Sequence, residues 1–168
     1  MGEFRHGFKS WCEKMASGYR RDLRIHPHAA LDPAILAEHL GIRVVTPNDI
    51  PSLAKAHRDQ LLVHDHESWS AVTLTMSDET IIIQNSSHAP TRRNSDLMHE
   101  LAHVILKHSP AQVMLSPNGH MFMDNYDKTQ ELEADWLGAS LLVPRDGLLS
   151  VYSRTPDLDY TAAHFAVS

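Results

Sequence analysis

The chain predicts an α+β domain, and three observations carry that reading. Two long stretches, residues 4–23 and 92–108, repeat apolar residues at three- and four-residue steps, as amphipathic helices do. Between them, residues 71–85 alternate and turn back on themselves as a β-hairpin does. No internal repeat, low-complexity run or linker divides the 168 residues, so 1–168 is read as a single domain large enough for a real core.

The first helix, residues 4–23, carries Phe4, Phe8, Trp11, Cys12, Met15, Tyr19 and Leu23 on its apolar side. Lys9, Lys14, Arg20 and Arg21 fall largely between them. A nucleic-acid contact and a solvated face both fit those cations, and the net charge of −6 favours the solvated face. Asp32-Pro33 is a cap followed by proline at the first helical position, so a short helix runs to Leu40 and stops at Gly41. A strand over Ile42–Val45 and a turn over Thr46–Asp49 follow. A short helix from Asp49–Pro51 to about His57 is expected next, and Leu61–Val63 fits either a strand or a helix end. Ala71–Met76 and Thr80–Asn85 are the hairpin strands, joined through Ser77-Asp78-Glu79. The central helix begins within Arg92–Ser95, takes Asn94, Ser95 or Asp96 as its cap, and ends at His108 before Ser109-Pro110. Beyond a polar, Met-rich connection with a short strand at Met121–Met123, a second long helix spans Thr129–Val143 and stops at Pro144. Arg145–Tyr152 and Tyr160–Phe165 are short helices.

The chemistry sits in the central helix, at His99-Glu100-Leu101-Ala102-His103. Four helical residues turn about 400°, so His99 and His103 project from one face, one turn apart. That spacing suits two imidazoles on one tetrahedral zinc ion, with Glu100 beside it as general base. Leu97, Met98, Leu101, Val104 and Ile105 occupy the opposite side of the wheel, which separates a buried face from the face bearing the motif. A third ligand is expected in the next long helix. There Glu133 falls within the apolar face with Leu132, Trp136, Leu137, Ser140 and Leu141, while Glu131, Asp135 and Gly138 fall on the far side. A buried carboxylate needs a partner. Zinc held by two histidines is one, and a salt bridge to Arg92, Arg93 or Arg145 is the alternative. Two histidines and one carboxylate leave a fourth position for water, as a catalytic site requires.

Asn85, the run Arg92 to His108 and the run Glu131-Leu132-Glu133-Ala134-Asp135-Trp136 to Pro144 resemble the ImmA/IrrE family of metallopeptidases. Leu31-Asp32-Pro33 through Val44 resembles the family's N-terminal segment, so the likeness covers roughly residues 20–168. It implies a zincin-like domain with a small antiparallel or mixed sheet packed on helices, zinc on His99, His103 and Glu133, and Glu100 as base. It also implies a protein substrate, a transcriptional repressor of the helix-turn-helix type, in mobile elements, stress responses or toxin–antitoxin loci. The approach to the motif, Asn94-Ser95-Asp96-Leu97, departs from the usual Arg-Phe-Thr-Leu. Members often follow Phe165-Ala166-Val167-Ser168 with a further helix, so a chain shortened at its C-terminus is expected.

Tyr126, His120 and His108 are candidates for a second oxyanion donor, each with a plainer reading as a packing, loop or helix-end residue. The competing functional class is a non-catalytic regulator, in which the zinc site is structural and the domain acts by binding a partner. Glu100 favours catalysis, because a structural site has no use for it. No apolar run reaches the roughly 18 residues of a membrane span, the start lacks a signal core, and one cysteine cannot form an internal disulfide. A cytoplasmic location without direct nucleic-acid or membrane contact is the expectation.

Overall fold

Two helices that share an apolar contact form the centre of the computed structural model, which describes residues 4–76, 79–109, 112–115, 121–124 and 127–167. These are α4 (Pro90–Leu106) and α5 (Lys128–Leu142). Leu97, Met98, Leu101 and Ala102 are buried on α4, and Ala134, Leu137, Leu141 and Leu142 on α5. Proline at the first position starts α4, two residues ahead of the predicted range, and Lys107 ends it in the left-handed region at φ 56°. Asp127 caps α5 by accepting from the backbone N–H of Thr129 at 2.8 Å.

A mixed three-stranded sheet packs on one side of α4. Its strands are β1 (Arg43–Val45), β2 (Ala71–Met76) and β3 (Glu79–Gln84), in the order β1-β3-β2. The hairpin β2–β3 pairs antiparallel, with Thr73 opposite Ile82, and β1 joins β3 in parallel with Val44 opposite Ile82. Asn85, fully buried, directly follows β3. Its side-chain amide donates to the carbonyls of His66 and Trp69, and its oxygen accepts from the backbone of Ser87, seating the loop that leads into α4. From that loop His88 donates through Nδ1 to Asp96 at 3.1 Å. Asp96 therefore lies inside α4 and braces the loop, rather than capping the helix.

The shorter elements fall close to their predicted places. Helix α2 (Pro33–His39) is capped by Asp32, which accepts from Ala34 N at 2.8 Å. Helix α3 (Lys55–Asp59) starts later than the sequence suggests and runs into a π-helical turn over Gln60–His64, so Leu61–Val63 is helical rather than a strand. Strands β4 (Gln112–Leu115) and β5 (Met121–Asp124) form a separate antiparallel pair, and α6 (Arg145–Arg154) and α7 (Leu158–His164) close the chain. Among the described residues, no helix is long and apolar enough to cross a membrane.

Helix α1 (Phe8–Asp22) packs against α5 and buries Phe8, Cys12 and Ala16. It also corrects one expectation. Arg20 is not on a solvated face but is 1% exposed. Its guanidinium donates to the carbonyls of Ala16, Ala29 and Leu142 at 3.2–3.3 Å, reaching the last turn of α5. Burial pulls its pKa down to about 10, which still leaves it charged at neutral pH. Replacing it with methionine keeps the bulk but removes all three bonds, and leaves the carbonyls of Ala29 and Leu142 without a partner. Arg20→Met is expected to lower unfolding free energy by about 2–4 kcal/mol in urea titrations. Arg20→Lys is expected to recover little of this, because an ammonium lacks the planar fork.

Candidate metal centre

The apolar contact between α4 and α5 fixes the rotation of both helices and so decides which polar groups meet. On α4 it sends His99, Glu100 and His103 to the side facing β2 and the first turns of α5. The two Nε2 atoms of His99 and His103 are 3.0 Å apart. Glu131 reaches both, with Oε2 3.2 Å from His99 Nε2 and Oε1 3.6 Å from His103 Nε2. A tetrahedral ion with bonds of about 2.0–2.1 Å needs donor atoms roughly 3.3–3.4 Å apart. The observed spacings bracket that edge length, so these three side chains fit a small divalent cation such as zinc.

The structure thus joins His99 and His103 as the sequence predicts, but the carboxylate it brings to them is Glu131. Glu133 stands elsewhere, with Oε2 3.3 Å from His108 Nε2. The helical wheel grouped Glu131, Asp135 and Gly138 correctly and assigned that group to the wrong surroundings. Gly138 does not face solvent. A methyl group built on it would sit 3.5 Å from the Met98 carbonyl and 3.6 Å from His99 Cα, so this stripe of α5 lies against α4. Glu131 and Asp135 are four apart, as are His99 and His103, and each pair presents one face of its helix. The matched spacing and the small residue at the crossing were the available signals.

Each histidine is also held from behind. Asp135 Oδ1 lies 2.9 Å from His99 Nδ1, which leaves Nε2 of that ring as the free lone pair. His103 Nδ1 lies 3.0 Å from His108 Nδ1. Burial, with the rings of His99 and His108 adding to it, lowers the His103 pKa to about 4. Its imidazole is neutral near pH 7, the form a metal ligand requires. His108 therefore sits behind His103, with its other nitrogen turned to Glu133, while Tyr126 and His120 lie outside the described residues.

Glu100 enters the site from α4 and accepts a hydrogen bond from the Thr73 hydroxyl of β2. Burial raises its pKa above the ordinary carboxylate value. The Thr73 bond and His99 work against that shift, and Glu131 adds to it. Thr73 escaped the sequence reading, since within an alternating strand it is indistinguishable from its neighbour Thr75.

A family model described as Peptidase M78, IrrE N-terminal-like domain, matches residues 37–168. The chain belongs to that family. No curated protein matches it. Membership of an M78 peptidase family places the His-Glu-x-x-His helix in a metallopeptidase framework, and the His99, His103 and Glu131 cluster supplies a donor set that this framework requires. Helix α1 precedes the matched span, although its residues are part of the core.

Adding zinc to the metal-free protein is expected to raise its melting temperature and to saturate at one ion per chain. At a hundredfold excess over Kd the stabilisation is about 2.7 kcal/mol. His99→Ala and Glu131→Ala are each expected to abolish the shift, as followed by thermal unfolding with and without zinc.

Proposed function

We propose that this chain is a zinc-dependent endopeptidase acting on a protein substrate, with His99, His103 and Glu131 as the metal ligands and Glu100 as the general base. The observation that carries the reading is Glu100. It is a half-buried carboxylate whose desolvation raises its pKa, next in sequence to one ligand and aimed by Thr73. A site that only held the fold together would gain nothing from a second, non-ligating carboxylate at that place. Zinc at these donors would supply Lewis acidity, polarising the scissile carbonyl and acidifying water. Glu100 takes the proton from the attacking water and returns it to the departing amine. Its burial strengthens it as a base, and the Thr73 hydroxyl holds the carboxylate in one orientation through both transfers.

For the substrate, a helix-turn-helix repressor is the proposal. Its support is the resemblance of the two helix motifs to peptidases that cut such proteins. The experiment incubates the zinc-loaded chain with a co-encoded repressor and follows cleavage by mass spectrometry. Glu100→Gln is expected to lower the rate by about 10²–10⁴-fold while binding zinc as the wild type does. Equal cleavage by wild type and Glu100→Gln would sink the mechanism. An effect on repression that survives Glu100→Gln but not His99→Ala would replace it with action by binding. Thr73→Val removes only the hydroxyl contact. It is expected to cost about tenfold in kcat/KM with zinc content unchanged.

A further inference from the structure

We infer that His108 and Glu133 form a positioning chain behind His103 that decides which of its ring nitrogens carries the proton. This rests on the metal reading above. The chain begins at Glu133, whose carboxylate only accepts hydrogen bonds. His108 Nε2, 3.3 Å away, therefore carries a proton. In a neutral ring Nδ1 of His108 is then bare and accepts. Its partner at 3.0 Å is His103 Nδ1, so the proton between the two rings belongs to His103. The remaining nitrogen of His103, Nε2, is left with its lone pair directed at His99 Nε2 and Glu131. The carboxylate thus sets the polarity of two imidazoles in series, as Asp135 does directly for His99.

Local structure is built to hold this chain. Lys107 takes the left-handed conformation at φ 56°, which a non-glycine residue adopts at some cost. The turn brings the backbone N–H of His108 to the carbonyl of His103 at 3.0 Å and folds the His108 ring back onto the His103 ring. The His108 side chain is 7% exposed and that of Glu133 18%, so water has little access to compete for either bond. Glu133 thereby receives the buried partner it needs without being a ligand.

The test measures ring tautomers in the metal-free protein by long-range ¹⁵N–¹H NMR correlation and zinc affinity by competition with a chelator. In wild type His103 is expected to be protonated on Nδ1 and His108 on Nε2. In His108→Phe, His103 is expected to move towards Nε2 protonation and zinc affinity to fall 10–100-fold. His108→Gln, whose amide can accept from His103 and donate to Glu133, is expected to restore much of both. Glu133→Leu keeps both rings and is expected to shift the His103 tautomer in the same direction as His108→Phe. Nε2 protonation of His103 in wild type, or an unchanged tautomer in both His108→Phe and Glu133→Leu, would overturn the inference. So would loss of zinc binding in Glu133→Leu as complete as in His99→Ala, which would make Glu133 a ligand. Wild-type zinc affinity in Glu131→Gln would overturn the metal reading alone, because the tautomers are measured without zinc.

Discussion

Leu97, Met98, Leu101 and Ala102 of α4 meet Ala134, Leu137 and Leu141 of α5 in a fully buried seam, and every polar contact in the site inherits its geometry from that seam. Burying one large aliphatic side chain contributes about 1.5–3 kcal/mol, whereas a typical hydrogen bond nets about 0.5–1.5 kcal/mol. The apolar seam therefore sets the rotation of the two helices, and the polar groups occupy the positions left to them. Had α5 been rotated by one residue, about 100°, another stripe of side chains would face the His99 and His103 pair. The carboxylate delivered to the metal position is decided by packing several residues away from it.

The site concentrates charge of one sign. Glu100, Glu131, Glu133 and Asp135 surround His99, His103 and His108, and one of those rings is held neutral by its surroundings. The mutual repulsion is visible in Glu131 pushing up the Glu100 pKa. A divalent cation at the convergence of His99, His103 and Glu131 relieves that repulsion and satisfies the two free lone pairs together. The same arrangement disfavours an anionic ligand at this position.

What the sequence made legible follows from how many sides of an element are buried. Helix α4 has one buried face and one polar face, so its wheel placed His99, Glu100 and His103 correctly. The hairpin was legible because its strands alternate and a turn sits between them. Helix α5 lies between α4 on one side and α1 on the other and is apolar on both. A wheel drawn for it has no single inner face, and the choice between Glu131 and Glu133 turned on an assumption about which face that was. Arg20 misled for a related reason. A lone cation at the margin of an apolar stripe reads as solvated, and only the tertiary fold shows three backbone carbonyls converging on it. The parallel pairing of β1 with β3 carries no local signal, since it joins segments nearly forty residues apart.

Helix α1 lies outside the span matched by the family model, yet the site depends on it through α5. Phe8, Cys12 and Ala16 close the side of α5 that α4 leaves uncovered, and Arg20 ties down the carbonyl of Leu142 at its last turn. Glu13 accepts from the backbone N–H of Arg145, where α6 begins, at 3.0 Å. At the other end of the contact, Lys9 Nζ lies 3.8 Å from the ring centre of Trp136, one residue beyond Asp135. Contacts from α1 therefore reach α5 both beside the residue that braces His99 and at its final turn. Holding Glu131 and Asp135 to a fraction of an ångström requires that α5 not slide or roll on α4, and a helix packed against one neighbour alone keeps both freedoms. The segment before the matched domain supplies the second contact, so the functional unit in this chain extends to the N-terminal side of the family boundary.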